Sequence, residues 1–196
     1  MGVTAFLDRL EALEADDLLS AQLGLPQTAF SAPSDAAATD GKRHLSSPAA
    51  ARSYLLSIYP ALRRHYLWFR TSQKGQLKPW GRRPPSRLEA YRWRGRTAKH
   101  VLTSGLDDYP RASVPSNGEL HVDLHCWMGF FATAMERLAG YLGEQFEDDL
   151  EEYRRNRANI LLNLDALHWS EDDQMYCDVT VDEEGPSMSS PLRSSS

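Results

Sequence analysis

Apolar side chains recur at steps of three or four positions in four stretches of the chain, which is the spacing of an amphipathic helix. These stretches predict helices over residues 3–19, 48–73, 118–142 and 146–166. The third stripe is the most regular, because its large apolar residues keep the same step throughout. A short turn near Gly143 separates the last two helices, so we expect them to form an antiparallel helical hairpin.

The second helix has a predicted start and a predicted irregularity. Ser46 or Ser47 followed by Pro48 is typical of a helix start, with a capping hydroxyl and a proline in the first turn. Pro60 lies within the apolar stripe of this helix. It predicts a kink, because proline lacks the N–H donor and its ring meets the preceding turn.

The segments outside the helices have no helical period. Residues 25–47 consist largely of Ala, Ser, Pro, Thr and Asp, which is typical of a surface loop or flexible insert. Residues 76–117 contain five prolines and predict a long ordered loop, a type of segment that usually serves function. Val179 and Val181 beside Tyr176 indicate one short strand.

Together these patterns predict an all-α fold with one long irregular loop. A chain of 196 residues with 41% hydrophobic content can bury one core of ordinary size, so one folded domain is expected. We expect residues 1–47 to be an N-terminal helix and flexible insert, and residues 48–182 to be the domain. Residues 183–196 are rich in Ser and Pro and predict a disordered tail with no core to join.

Charge and cysteine usage limit the classes of function that fit this chain. The formal net charge of -5 argues against a duplex nucleic-acid binder, which needs concentrated positive charge. A basic cluster at residues 78–96, interleaved with aromatic rings, keeps single-strand nucleic-acid binding as a weaker alternative. Cys126 and Cys177 lack metal-ligand spacing and predict free or buried thiols. No run of about eighteen apolar residues occurs, and charges at positions 8 and 9 leave no visible targeting segment.

Candidate chemistry concentrates between residues 92 and 127. Asp107 and Asp108 follow a Ser-Gly pair in a segment without helical period, and Tyr109 and Arg111 add a ring and a fork-shaped donor. Carboxylates, arginines and flat rings are what sugar-handling sites are made of, so this region predicts an active site. The alternative for the aspartate pair is ordinary turn chemistry.

Two pairs of residues four positions apart follow this loop. On a helix Glu119 and Asp123 would share one face near the N-terminus. The alternative is that these acids only interact favourably with the helix dipole. His121 and His125 have the spacing of paired zinc ligands. However, Glu119 and His121 would point about 200° apart on a helix, so the acids and histidines could not share one ion. We therefore predict no metal site and expect solvated or hydrogen-bonded imidazoles.

Three arginines alternate along the chain just before the aspartate pair. Arg92, Arg94 and Arg96 would share one face of an extended segment, and Trp93 would project to the other face. Either the arginines form a solvated basic strand, or they orient the nearby carboxylates.

Three blocks in this region resemble the mannosyl-oligosaccharide glucosidases of glycoside hydrolase family 63. The blocks are residues 91–97 (YRWRGRT), 102–112 (LTSGLDDYPRA) and 119–123 (ELHVD), and the resemblance extends over about residues 48–182. It implies that this part belongs to an (α/α)6 toroid, a six-hairpin glycosidase-like catalytic domain. It also implies an inverting alpha-glucosidase that needs no metal or other cofactor and removes the terminal alpha-1,2-linked glucose of the glucosylated high-mannose N-glycan precursor.

The resemblance also implies roles for individual residues. Asp107 would be the general acid, and Glu119 and Asp123 would bind the glucose end of the substrate. We expect Tyr109, Arg111, Trp93 and Asp108 in or beside the same glucose subsite.

Family members are several times longer than this chain, so the resemblance implies a partial catalytic domain. Their partner general base is a glutamate near the C-terminal end, and nothing after residue 182 here resembles that region. We therefore expect this chain alone to be inactive. The resemblance implies residence on the lumenal side of the endoplasmic reticulum membrane, and contact with the membrane would be made only through family regions that this chain does not contain. The alternative is a carbohydrate-binding module or pseudoenzyme that keeps part of the sugar pocket without turnover.

Overall fold

A computed structural model describes residues 2–22, 47–97, 99–100, 102–106, 111, 114–182 and 185–189. Most of these residues are helical, as the sequence predicts. The helices are α1 (Gly2–Gln22), α2 (Pro48–Ser72), α3 (Val122–Leu142) and α4 (Glu147–His168). Short 3-10 turns occupy Lys78–Trp80, Leu102–Ser104 and Glu144–Phe146. Through the described ranges, no helix carries a stretch apolar enough to cross a bilayer.

Helix α2 begins where the sequence predicts. The Ala50 amide donates to the Ser47 hydroxyl over 3.1 Å, which satisfies one of the free donors of the first turn. The helix continues through Pro60 to Ser72 as one element. The proline therefore does not end the helix, and the kink remains a prediction.

The described residues form two compact units. The first takes in Met1–Arg63 and Ala134–Glu151. Within it, buried leucines of α1, α2 and α3 form the core, and polar contacts surround them. Arg137 pairs with Asp8 at 2.8 Å and with Glu11 at 3.0 Å.

The second unit takes in Arg64–Thr133 and Glu152–Ser196, and it contains the long loop. Its aromatic core joins Tyr66 edge-on to Phe131 and Tyr153, with ring centroids 5.2 and 5.4 Å apart. A smaller apolar cluster joins the loop to the strands that follow α4, and its members are Leu77, Ala90, Leu120, Leu167 and Val179. All residues discussed below as a site lie in this second unit.

The strand predicted at Val179 and Val181 is present, and the described residues contain three further short strands. The four are β1 (Trp169–Ser170), β2 (Met175–Tyr176), β3 (Asp178–Asp182) and β4 (Gly185–Ser189). Strands β1 and β2 pair antiparallel, and so do β3 and β4.

The expectation of a disordered tail from residue 183 is wrong for β4. Its backbone pairs with β3 from Asp178 opposite Ser189 to Asp182 opposite Gly185. Met188 packs against the smaller apolar cluster, which gives this segment a core to join. The open edge of β3 supplies the hydrogen-bonding partners that the composition does not reveal. Residues 183–184 and 190–196 lie outside the described residues.

The third helix starts later than the sequence predicts. Leu120 pairs with Val179 of β3 through two backbone hydrogen bonds of 2.9 Å, so its N–H and C=O are not available to a helix. Helix α3 therefore begins at Val122, so Glu119 precedes the helix and Asp123 lies in its first turn. The fourth helix matches its prediction closely and ends at His168.

Candidate active site

Backbone pairing brings the loop after α2 against the start of α3. Gly75 N donates to Ala90 O and Arg92 N donates to Gln73 O, both over 2.8 Å. The loop then reaches the helix start, because His121 N donates to Tyr91 O over 3.0 Å. This pairing places the residues that follow Tyr91, including Trp93 and the arginines, beside the first turn of α3.

Asp123 lies in the first turn of α3, at the centre of the site. Its Oδ2 accepts the Trp93 indole N–H at 2.9 Å and the Arg111 guanidinium at 2.7 Å. Its side chain is 13% exposed. Within the ranges that the structure describes, Asp123 Oδ1 is buried and accepts no hydrogen bond. One oxygen is thus held by two donors while the other keeps its capacity to accept.

Arg111 links this carboxylate to β3. Its second terminal nitrogen donates to Asp178 Oδ2 over 2.5 Å, and Asp178 Oδ1 accepts the Val122 amide at 2.8 Å. Burial disfavours the Arg111 charge, but Asp178 and Asp123 outweigh it and raise its pKa. Burial raises the pKa of the Asp178 carboxyl, against the opposing effect of Arg111.

Sequence reasoning missed Asp178. No local pattern marks an aspartate at the start of a strand, 67 positions after Arg111. Only the antiparallel pairing of Leu120 with Val179 brings it to the helix start, because that register sets Asp178 opposite the residue after Leu120.

Glu119 is almost completely buried and lies between two basic side chains. Its Oε1 is 3.4 Å from the Arg96 guanidinium, and its Oε2 is 3.5 Å from His121 Nε2. Its side chain is 2% exposed, against 13% for Asp123. Glu119 and Asp123 therefore differ in environment, because only Asp123 belongs to the helix.

Glu119 and His121 lie side by side, so the prediction that they point apart is wrong. That prediction places both residues on α3, but both precede its first residue. His121 Nδ1 accepts the Trp93 amide at 2.8 Å, so the neutral imidazole carries its proton on Nε2, towards Glu119. His121 thereby connects the buried acid to the backbone of the loop.

His125 has a separate role. Its Nε2 hydrogen-bonds the Ile160 carbonyl over 2.8 Å, and its ring contacts those of Tyr91 and His168. Burial lowers its pKa. The expectation of hydrogen-bonded imidazoles holds for both His121 and His125. Among the residues described, no three His, Cys, Asp or Glu side chains gather in a way that would hold a metal ion.

The arginines divide between the two interpretations made from the sequence. Arg96 is buried against Glu119, as expected of a residue that orients a carboxylate. Arg94 is exposed, and its amide donates to the Gln73 side chain at 2.8 Å. Burial lowers the pKa of Arg92, and nearby Glu119 opposes that shift.

Three of the predicted site residues, Asp107, Asp108 and Tyr109, lie outside the described residues. The turn that leads to them is described. Ser104 Oγ accepts the Leu106 amide at 3.1 Å, and Gly105 has a φ of +70°, which glycine adopts without strain. The structure thus brings Trp93 and Arg111 into direct contact with Asp123, and it places buried Glu119 beside His121, which bonds the Trp93 amide.

The arrangement suits recognition of hydroxyl groups. A partly exposed carboxylate beside an indole ring and a guanidinium offers an acceptor, an apolar face and a donor within one small region.

A comparison with known families shows to which family this chain belongs. Residues 20–193 match the Glycosyl hydrolase family 63 C-terminal domain. The chain belongs to glycosyl hydrolase family 63. The family resemblance carried by the three sequence blocks is therefore confirmed, and a glycoside hydrolase family accounts for a site built from carboxylates, arginine and an indole ring.

Relatives in this family share much of the chain. A probable mannosyl-oligosaccharide glucosidase of Schizosaccharomyces pombe is 47% identical over 139 residues, covering 71% of this chain and 17% of that protein. The mannosyl-oligosaccharide glucosidase of Saccharomyces cerevisiae is 39% identical over 148 residues, with coverage of 70% and 17%. One from Arabidopsis thaliana is 39% identical over 124 residues, with coverage of 58% and 13%. The chain spans about a sixth of the length of the first two family 63 relatives.

Proposed function

We propose that this chain forms the glucose-binding wall of the active site of an inverting alpha-glucosidase. Its substrate would be the glucosylated high-mannose N-glycan precursor, from which the enzyme removes the terminal alpha-1,2-linked glucose. The observation that carries this proposal is the Asp123 carboxylate, which is held at one oxygen by Trp93 and Arg111 and whose other oxygen is buried with no hydrogen-bond partner among the described residues. The names of the relatives support the choice of substrate.

Asp123 would accept a glucose hydroxyl at Oδ1 while the Trp93 ring lies beside the apolar face of the sugar. Arg111 would fix the carboxylate in place. Because Glu119 is buried, it would act by holding Arg96 and His121 in place, and through His121 it would position the Trp93 backbone. This assigns Glu119 a positioning role in the same subsite.

Asp107 would be the general acid that protonates the leaving oxygen, with Asp108 and Tyr109 beside the departing sugar. This assignment rests on the family resemblance of the Ser-Gly-Leu-Asp turn. Inversion needs a second carboxylate roughly 6.5–9.5 Å away to activate water. In the longer family proteins a glutamate outside this segment would supply it, so the isolated chain should release no measurable glucose. No cofactor is needed for this chemistry.

A second candidate is a carbohydrate-binding module without turnover. It is favoured by the pairing of charges within the site, where Glu119 contacts Arg96 and Arg111 is shared by two aspartates. Such a module would keep the sugar contacts and lack acid catalysis. Both candidates place the protein with glycans of the secretory pathway, as the names of the relatives suggest, and neither involves nucleic acid.

A chimera tests the proposal. This chain would replace the matching 139-residue segment of the Schizosaccharomyces pombe relative, and glucose release from a triglucosylated N-glycan would be measured. Release that depends on Asp123 supports the glucosidase. A folded chimera that binds the glycan but releases no glucose favours the binding module. Absence of both binding and release contradicts both candidates.

A further inference from the structure

A row of aromatic rings leads away from the Asp123 site. The Trp93 ring, whose indole N–H contacts Asp123, meets Phe69 edge-on with centroids 6.3 Å apart and planes at 84°. Phe69 in turn meets Trp68 at 5.0 Å and 90°. Three rings therefore connect the candidate glucose site with a tryptophan near the end of α2.

The end of this row is exposed. Trp68 is 55% exposed, whereas tryptophan side chains are on average highly buried. His65, one helical turn earlier, is also exposed, and its ring lies within 7° of parallel to that of Trp68 at a centroid distance of 6.4 Å. We call His65, Trp68 and Phe69 the aromatic shelf.

A ring of α3 packs against the aromatic shelf. His65 contacts Phe131 of α3 at 5.6 Å and meets Phe69 edge-on at 5.0 Å. All three shelf residues lie on one side of α2, at spacings of three and four. A ligand that stacked there would thus find rings already ordered, and binding would cost little side-chain entropy.

We propose that the aromatic shelf is a second sugar subsite, in which Trp68 stacks on the residue of the glycan next to the glucose held at Asp123. This rests on the proposed function, because an oligosaccharide must continue beyond its terminal glucose. A flat exposed ring fits the apolar face of a pyranose, and the parallel imidazole of His65 offers a hydrogen-bonding nitrogen to its hydroxyl rim. The continuous ring contacts from Trp93 to Trp68 favour a sugar chain over an unrelated partner.

Binding of short glucans to the full 196-residue chain tests this subsite. The probes are glucose and the alpha-1,2-linked disaccharide and trisaccharide of glucose, titrated while the indole N–H signals of the five tryptophans are followed by NMR. Glucose should shift the Trp93 signal alone. The disaccharide should also shift Trp68 and bind about three- to tenfold more tightly, the gain expected of one aromatic contact.

Variants at the shelf assign that gain. Trp68→Leu should abolish it and leave glucose affinity unchanged, whereas Trp68→Tyr, which keeps a ring, should retain most of it. Phe130→Ala is the matched control, because Phe130 is 69% exposed and its ring contacts Trp127 instead of Phe69. If Trp68→Leu unfolds the chain, Trp68→Tyr still tests the proposal, because loss of the gain in that folded variant would contradict a stacking role for the ring.

The outcomes separate the shelf from the proposed function. Glucose binding with no gain for the disaccharide, or a gain that survives in Trp68→Leu, overturns the second subsite and leaves the glucose site intact. Loss of glucose binding in folded Trp68→Leu also overturns it, because the two subsites would then be one. If no glucan binds the chain at all, the glucose site fails and the shelf fails with it.

Discussion

Arg111 donates to Asp178 Oδ2 over 2.5 Å and joins the long loop to β3. The other oxygen of the same carboxylate accepts the Val122 amide at the start of α3. One buried aspartate therefore holds both the loop residue that follows the proposed acid and the helix that carries Asp123. The position of the proposed glucose site depends on a strand that lies far away in the sequence.

Asp178→Asn should weaken the contact between the long loop and β3. The amide oxygen can still accept the Val122 N–H, but Arg111 loses its charged contact with Asp178. We expect faster amide hydrogen exchange at Leu106 and Arg111 and a several-fold loss of glucose affinity in the NMR titration. Asp165→Asn is the control, an exposed α4 carboxylate that accepts from Tyr176. Equal effects of the two substitutions would contradict the assigned role.

Glu119→Gln and Asp123→Asn should separate stability from binding. Glu119→Gln removes a charged partner of buried Arg96, so the free energy of unfolding should fall by about 3 kcal/mol. Asp123→Asn should instead reduce glucose affinity by about tenfold or more with a smaller loss of stability. Urea unfolding and the glucose titration measure the two effects. Glu151→Gln, exposed on α4, should change neither.

A reversed pattern would refute this division of roles. If Glu119→Gln weakened glucose binding with no loss of stability, the buried acid would have to reach the ligand directly. The family resemblance alone does not distinguish these cases, because it assigns both acids to the glucose end.

Asp107→Asn in the chimera should abolish turnover of the natural glycan while folding and glycan affinity change little. The amide keeps the shape of the side chain but cannot supply the proton to the leaving oxygen. A glucoside with an activated leaving group needs little protonation, so it should restore much of the rate. Rescue of Glu119→Gln in place of Asp107→Asn would show that the acid is a different carboxylate.

Acid should destabilise the second unit through His168. Burial lowers the pKa of His168 to about 3, and its Nδ1 hydrogen-bonds the Cys177 carbonyl. The unfolded chain takes up this proton near pH 6.5, so the stability contributed by the neutral ring is present above that pH. It is lost as the pH falls towards 3, at a slope of at most about 1.4 kcal/mol per pH unit.

His168→Asn keeps a donor near the Nδ1 position and removes the titration. The slope of unfolding free energy between pH 6.5 and 4 should therefore be flatter than in the parent chain. His100→Asn, at an exposed position, should leave the slope unchanged. Carboxylates titrate in the same range in all three proteins, so the comparison isolates the histidine. Identical slopes for parent chain and His168→Asn would contradict the prediction.

Two glycines should respond oppositely to alanine. A Cβ at Gly118 would lie 2.3 Å from Val181 Cγ2 and 2.7 Å from the Trp80 ring, so Gly118→Ala should destabilise the protein by roughly 1–3 kcal/mol. A Cβ at Gly129, inside α3, would lie 3.5 Å from Ile160, an ordinary contact. Gly129→Ala should stabilise by about 0.5–1 kcal/mol. Thermal melts of both variants measure this difference, and melting shifts of the same sign would oppose it.

The sequence by itself determined the helices and the family. Apolar side chains at helical spacing carry their signal within a few turns, so α2 and α4 lie close to their predicted bounds. The capping hydroxyl of Ser47 is equally local. The three conspicuous blocks identified the family because each is a contiguous run of residues, which needs no tertiary contact to be recognised.

Only the tertiary structure decided which residues meet at the site. Because Leu120 pairs with Val179, helix α3 begins only at Val122. Glu119 therefore lies outside the helix and beside His121. The same pairing brings Asp178 to Arg111. Strand pairing joins backbone groups far apart in the chain, and its register leaves no trace in the periodicity of either segment. Helical spacing therefore misjudged the acids and histidines, although it found the helix itself.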